Sequence, residues 1–184
     1  NNNFKIMSLN LFNFNLNSNQ KRIAEFIVGR LKAPEIILFQ EFPDDNFEQD
    51  RGISESKFNL KYLSLIFKNV IDTINSTKKI QVSGTDNIDN QDIFINRNYK
   101  FINFDPLNNQ SGGKPGLNIR NIIMYCSNTF DSIEEGLIGI NKNNINLFRG
   151  SRNPIYAKLK NKKTNIVYTI INVHHKSKRG DDNI

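Results

Sequence analysis

The chain has 184 residues, 38% hydrophobic and 23% charged, which gives room for one domain with a real core but not comfortably for two, and sets disorder aside. A net charge of +7 favours encounter with polyanions, nucleic acid and acidic membrane surfaces alike, unless it serves only solubility. The single cysteine excludes both an intrachain disulfide and a thiolate zinc cluster, and no run approaches the roughly 20 apolar residues of a membrane span.

Taken in chain order, Phe4 to Asn10 is rich in large apolar residues and reads as a strand ending on a polar amide. A helix is predicted next, capped by Asn17 or Ser18, with Ile23, Phe26, Ile27 and Leu31 at helical spacing before Pro34 forbids continuation. Ile36 to Phe39 is a continuous apolar run, the pattern of a strand buried on both faces, and it stops abruptly at Gln40-Glu41. After a polar stretch, Phe58, Tyr62, Leu65, Ile66, Val70 and Ile74 predict a long amphipathic helix with a Lys-rich polar face. Residues 83–116 read as irregular, with a short strand around Ile93 to Ile95 and a Gly-rich turn over residues 111–116. That turn lacks phosphate-loop spacing, and Pro115 blocks the helix such a loop must open. Three more strands are predicted at Ile119 to Cys126, Ile155 to Leu159 and Ile166 to Val173. Early alternation of helix and strand followed by mostly strands predicts an α/β layered domain with helices on the outer faces of its sheets.

Three of these apolar strands end alike, at Asn10, at Gln40-Glu41 and at His174-His175. In α/β sheets, ligands and catalytic groups gather at strand carboxyl ends, where a rigid scaffold projects side chains into a crevice. A carboxylate directly after four buried apolar residues is costly unless paired or bound to a cation, so Glu41 is a candidate metal ligand; its plainer reading is a solvated loop residue. Asn10 offers a hard neutral oxygen suited to Mg²⁺ or Ca²⁺, or a turn residue. Adjacent on a strand, His174 and His175 face opposite sides, so only one can line a site as proton acceptor or phosphoryl contact; the alternative is a strand-end histidine bonded to a loop. Arg152 could clamp a phosphate with its planar fork, or stand exposed in a basic loop. Lys176 and Lys178, just past the histidines, could hold a polyanion backbone or form a solvated turn.

The ordered blocks FKIMSLNLFNF (4–14), PEIILFQEF (34–42), GLNIRNIIMY (116–125), SRNPIYAKL (151–159) and YTIINVHHKSKRGDD (168–182) together resemble the endonuclease/exonuclease/phosphatase superfamily, the deoxyribonuclease I-like fold. The last block, Asn-x-His followed by Lys-Ser-Lys and Gly-Asp-Asp, is similar to bacterial and archaeal extracellular nucleases of that superfamily. The resemblance implies a four-layer α/β (α+β) sandwich of two mostly antiparallel sheets flanked by helices, and a metal-dependent phosphodiester hydrolase using Mg²⁺, with Ca²⁺ or Mn²⁺ as substitutes. It implies that Asn10 and Glu41 hold or orient the metal, that Arg152 contacts the scissile phosphate, and that His174 rather than His175 is the catalytic imidazole. Asn118 and Arg120 fall in a block that often borders the active site and stand as substrate-binding candidates beside Arg152, Lys176 and Lys178. Nucleic acid is the implied substrate, a monomer the implied state, and secretion the implied location.

The same pattern calls for a later Asp-x-Asn motif and a near-terminal Asp-His pair, neither of which occurs by Ile184; Asp181-Asp182-Asn183 lies too close to His174 to serve. The expectation is one domain over residues 1–184, an N-terminal portion truncated at its C-terminus, whose activity in isolation is in question. Besides a nuclease, the residues fit a phosphoinositide phosphatase or sphingomyelinase of the same fold, or a polyanion-binding module that has lost its chemistry. The triplets at Asn75 and Asn109 match the glycosylation pattern, as an Asn-rich chain does by chance.

Overall fold

The computed structural model describes residues 3–11, 16–45, 55–80, 88–89, 94–106, 118–140, 147–148 and 152–175. Four strands, β1 (Ile6–Asn10), β2 (Ile36–Phe42), β5 (Tyr99–Asn103) and β6 (Arg120–Cys126), form one sheet in the order β1-β2-β6-β5. β1 runs parallel to β2, which requires a crossover, and the remaining pairs are antiparallel. A second, wholly antiparallel sheet takes β7 (Phe130–Leu137), β8 (Ile155–Asn161) and β9 (Val167–Asn172) in that order. Two short strands, β3 (Lys79–Ile80) and β4 (Ile88–Asp89), pair with each other.

The crossover from β1 to β2 is α1 (Leu16–Glu25), which runs directly into a π-helical turn over Phe26–Arg30. Its buried Ile27 and Val28 pack with Leu63, Phe67 and Ile74 of α2 (Lys57–Thr77) against one face of the large sheet, where Ile37, Phe39, Ile122 and Met124 meet them. On the opposite face, Ile36, Ile102 and Ile123 meet Phe130, Ile155, Ala157 and Leu159 of the small sheet. β2 and β6 are therefore sandwiched between two cores, which explains their unbroken apolar runs: successive residues point alternately to helices and to the second sheet. Each fully buried Ile, Leu or Phe contributes about 1.5–3 kcal/mol relative to exposure, so these two strands anchor the layers. Phe4, Phe130 and Tyr168 add an edge-to-face aromatic cluster at one end of the sheet interface.

The layered α/β arrangement expected from the sequence is the one observed; among the described residues the order is helices, large sheet, small sheet. The outer face of the small sheet carries exposed Ile133, Ile166 and Ile171. Several local expectations differ. Helix α1 begins at Leu16, so Asn17 and Ser18 lie inside its first turn rather than capping it. The strand expected near Ile93 to Ile95 is displaced: Phe94 and Ile95 are not in a strand, Ile93 lies outside the described residues, and the pairing runs instead from Tyr99 to Asn103. Ile95 is held by the Asn75 side chain, which exchanges two hydrogen bonds with its backbone at 2.8 and 3.0 Å, so Asn75 serves here as a helix-to-loop clip. The Gly-rich turn at 111–116, Asn109, Lys176 and Lys178 lie outside the described residues.

Candidate active site

Because β1 and β2 are parallel and paired with Asn10 opposite Gln40, their carboxyl ends stand side by side. Just beyond, the β2–β6 ladder slips between Phe39 and Phe42, and Glu41 takes a left-handed φ of 55°. A non-glycine residue there carries about 1–2 kcal/mol of strain, which persists only where the surroundings impose it. The bulge turns Glu41 out of the alternation that would send it into a core. From the second sheet, β9 ends at Asn172, two residues before His174.

These ends meet. His174 Nε2 stands 3.4 Å from Glu41 Oε1 and 3.3 Å from Asn10 Nδ2. The side chains of Glu41 and His174 are 17% and 18% exposed, partly withdrawn from water yet reachable. His175 is exposed, whereas His174 is partly buried. A neutral imidazole either accepts from the Asn10 amide or donates to Glu41 through the same nitrogen, so the tautomer follows whichever contact prevails. His174 Nδ1 is buried without a hydrogen-bond partner among the described residues.

Arg152 enters just before β8, whose first residue Ile155 pairs with Asn172 at the end of β9, and this antiparallel register puts the guanidinium beside the same cluster. Burial lowers the Arg152 pKa and the Glu41 carboxylate partly restores it. Its Nε is buried without a hydrogen-bond partner among the described residues. His174 is likewise held below the usual imidazole value, first by burial and then by Arg152, with Glu41 acting in the opposite direction. The ring is therefore neutral at pH 7 and able to accept a proton.

Asn118 and Arg120 sit differently. Arg120 is 3% exposed and ion-pairs with Asp105, while its Nη2 donates to the Asn118 carbonyl at 2.7 Å. Asn118, in a left-handed φ of 44°, donates from Nδ2 to buried Asp44 Oδ2 at 3.1 Å. The backbone carbonyl of Asp44 accepts from Asn59 Nδ2 at 2.7 Å. These contacts tie the segment after Glu41 to α2 and to the entry of β6, so both residues are engaged in internal bracing.

Three buried polar residues near these strand ends were given no role of their own in the sequence reading: Gln40, Asn172 and Asp44. Gln40 Nε2 donates to Asn172 Oδ1 at 2.6 Å across the sheet interface. The available signal was a polar amide inside an otherwise apolar strand, Asn172 in the run Ile170 to Val173.

Among the described residues no group of three or more His, Cys, Asp or Glu is gathered around one point. Of the two side chains that meet His174, Glu41 is a carboxylate and Asn10 carries an amide whose nitrogen is the atom facing the ring; carboxylate and amide are the donor types that suit Mg²⁺, which is commonly held by one or two carboxylates and completes its octahedron with water and substrate phosphate.

No family model matches the sequence, and no curated protein matches it. The fold is similar to several solved structures. A humanized D. rerio TDP2 carrying 14 mutations aligns at TM-score 0.47 and 14% identity over 97% of this chain and 50% of that one. The human Nocturnin catalytic domain with bound sulfate aligns at TM-score 0.43 and 13% identity, covering 90% and 45%. An endonuclease/exonuclease/phosphatase from Bacteroides vulgatus aligns at TM-score 0.41 and 12% identity, covering 91% and 49%. The chain thus spans about half the length of these structures. With TM-scores below 0.5 these are likenesses of outline, and function is argued from the site itself.

Proposed function

We propose that the chain belongs to a metal-dependent phosphodiester hydrolase that cleaves nucleic acid. The observation that carries this reading is the meeting of Asn10, Glu41 and His174, from segments far apart in sequence, within 3.4 Å of one another at His174 Nε2, with Arg152 beside them. The resemblance of the sequence blocks to the endonuclease/exonuclease/phosphatase superfamily supports the same assignment.

In this reading Glu41 and Asn10 would hold Mg²⁺, whose charge, when bound, offsets that of the phosphate. Arg152, coupled electrostatically to both Glu41 and His174, brings a second fixed positive group to the position where the phosphodiester charge develops. His174, kept neutral by burial and by Arg152, takes the proton of the attacking water through Nε2. The basic surface, +7 overall, raises the local concentration of a polyanionic substrate.

The test is to incubate the complete protein with plasmid DNA, with RNA and with sphingomyelin, each in Mg²⁺ and in chelator. Mg²⁺-dependent cleavage of DNA or RNA is expected. Hydrolysis of sphingomyelin alone would remove the nuclease assignment, and binding of DNA without cleavage of any substrate would remove the catalytic one.

A further inference from the structure

Asn172, the last residue of β9, is 1% exposed, and both ends of its side-chain amide are engaged across the interface between the sheets. Its Oδ1 accepts from Gln40 Nε2 at 2.6 Å, and its Nδ2 donates to the backbone carbonyls of Phe39 and Ile122 at 2.8 and 2.9 Å. Phe39 and Ile122 are register partners on β2 and β6, at the point where that ladder slips. One side chain thus pins the end of the small sheet to the two central strands of the large one. Gln40 faces Asn10 in the β1–β2 register and also donates to Ser8 Oγ at 3.1 Å, which brings β1 into the same assembly.

We infer that the Gln40–Asn172 pair is a cross-sheet latch that positions His174 against Glu41 and Asn10; this rests on the reading above that the imidazole does chemistry. Glu41 follows Gln40 directly, and His174 follows Asn172 by two residues. Only Val173 separates the two residues, so fixing Asn172 at the end of β9 fixes the point from which the chain carries the imidazole to Glu41 and Asn10. Without the latch, His174 would be placed only by the packing of Ile170 and by its own contacts at the partly exposed rim. Gln40 and Asn172 are positioning residues that act through their neighbours, in the way that groups around a reacting centre hold its geometry.

The test uses the complete protein with Asn172→Ala, Gln40→Met, His174→Ala and the double change Asn172→Ala/His174→Ala, each checked by far-ultraviolet dichroism and a cooperative melt. Gln40→Met leaves the two carbonyl bonds of Asn172 in place, which guards against simple failure to fold. Expected is a fall in kcat of about tenfold to a hundredfold for either latch variant with KM within about twofold, and no further loss from Asn172→Ala once His174 is gone. A readout independent of turnover is available because the chain has two histidines. In ring nitrogen–proton NMR spectra of Gln40→Met, the His174 signals should move while those of His175 stay. A folded Gln40→Met protein whose His174 signals and kcat both match the parent would overturn the latch. Should His174→Ala lower turnover by about 10² or more while Asn172→Ala costs the same factor with and without His174, the latch falls and the hydrolase reading stands. Should His174→Ala retain full turnover while the His174 signals still move in Gln40→Met, the latch stands and the catalytic role of the imidazole falls.

Discussion

Replacing Arg120 by methionine separates a phosphate-binding arginine from an internal one. Its guanidinium is buried, paired with an Asp105 side chain that is 37% exposed, bonded to the Asn118 carbonyl, and within electrostatic reach of fully buried Asp44. Burial pulls its pKa down to about 10 against the opposing pull of those aspartates, so the site disfavours the charge. The charge is nonetheless needed beside buried Asp44, because removing one member of a buried charged set leaves the rest partly stranded, at about 3–5 kcal/mol. Asp105 is exposed enough to rehydrate and adds little to that figure. Urea denaturation of Arg120→Met should therefore show a loss of about 3 kcal/mol, and Arg120→Met combined with Asp44→Asn should recover most of it, since a buried charged set replaced by neutral groups is close to energetically neutral. Oligonucleotide affinity of the double variant should fall with salt as steeply as that of the parent. A slope shallower by about one unit would show that Arg120 neutralises a phosphate, and strictly additive losses from the two changes would refute the stranded-charge argument.

Other consequences concern the site directly. His174→Ala should lower turnover by about 10² to 10⁴ while His175→Ala, on an exposed residue, stays near the parent; equal losses in a nuclease assay would show that the wrong ring has been chosen. Since burial and Arg152 depress the His174 pKa, the unprotonated ring persists below the ordinary imidazole value of about 6.5, and the acid limb of kcat/KM lies under that pH. Arg152→Gln removes a cation and should move the limb upward; movement downward in the measured profile would contradict the assigned cause. The same shift has a stability counterpart: the unfolded ring takes up its proton before the folded one, so as pH falls below about 6.5 this group progressively destabilises the fold, an effect that His174→Gln should remove from the pH dependence of urea unfolding. Chelation should abolish cleavage and added Mg²⁺ restore it, with Glu41→Gln raising the Mg²⁺ concentration for half-maximal rate; an unchanged requirement would take Glu41 out of the metal site.

The central strands were legible in the sequence because burial on two faces leaves no polar position to confuse the pattern: Ile36 to Phe39 and Ile119 to Cys126 both announce themselves as apolar runs. β5 and β7 were not, for a physical reason. In β7 the residues Asp131, Ser132, Glu134 and Glu135 make the segment look like a loop, yet its charges are met across the strands, Glu134 by Lys158 at 2.7 Å and Asp131 by Lys162 at 3.1 Å. Only Phe130 of that strand is fully buried, so its hydrophobic signal is a single residue. Arg120 illustrates a second kind of illegibility. Nothing local distinguishes an arginine whose fork points inward, because the aspartates that satisfy it come from other segments of the chain and become neighbours only on folding.

Glu41 shows where the two kinds of information join. The sequence marks it as a carboxylate at the end of a buried run, and a regular continuation of β2 would simply carry on the alternation between the two cores. Its left-handed backbone breaks the ladder with β6 for the interval between Phe39 and Phe42, after which Phe42 re-enters the core opposite Arg120. That single irregularity keeps the strand anchored on both sides of the carboxylate while turning the carboxylate itself toward His174. The strain it carries is offset by the packing of Phe39 and Phe42, whose rings lie 6.4 Å apart in the helix-side core, and by the Asn172 amide held against the Phe39 carbonyl. A regular strand here would keep the sheet and forfeit the meeting of acid and imidazole, so the bulge is the feature through which this fold acquires a site.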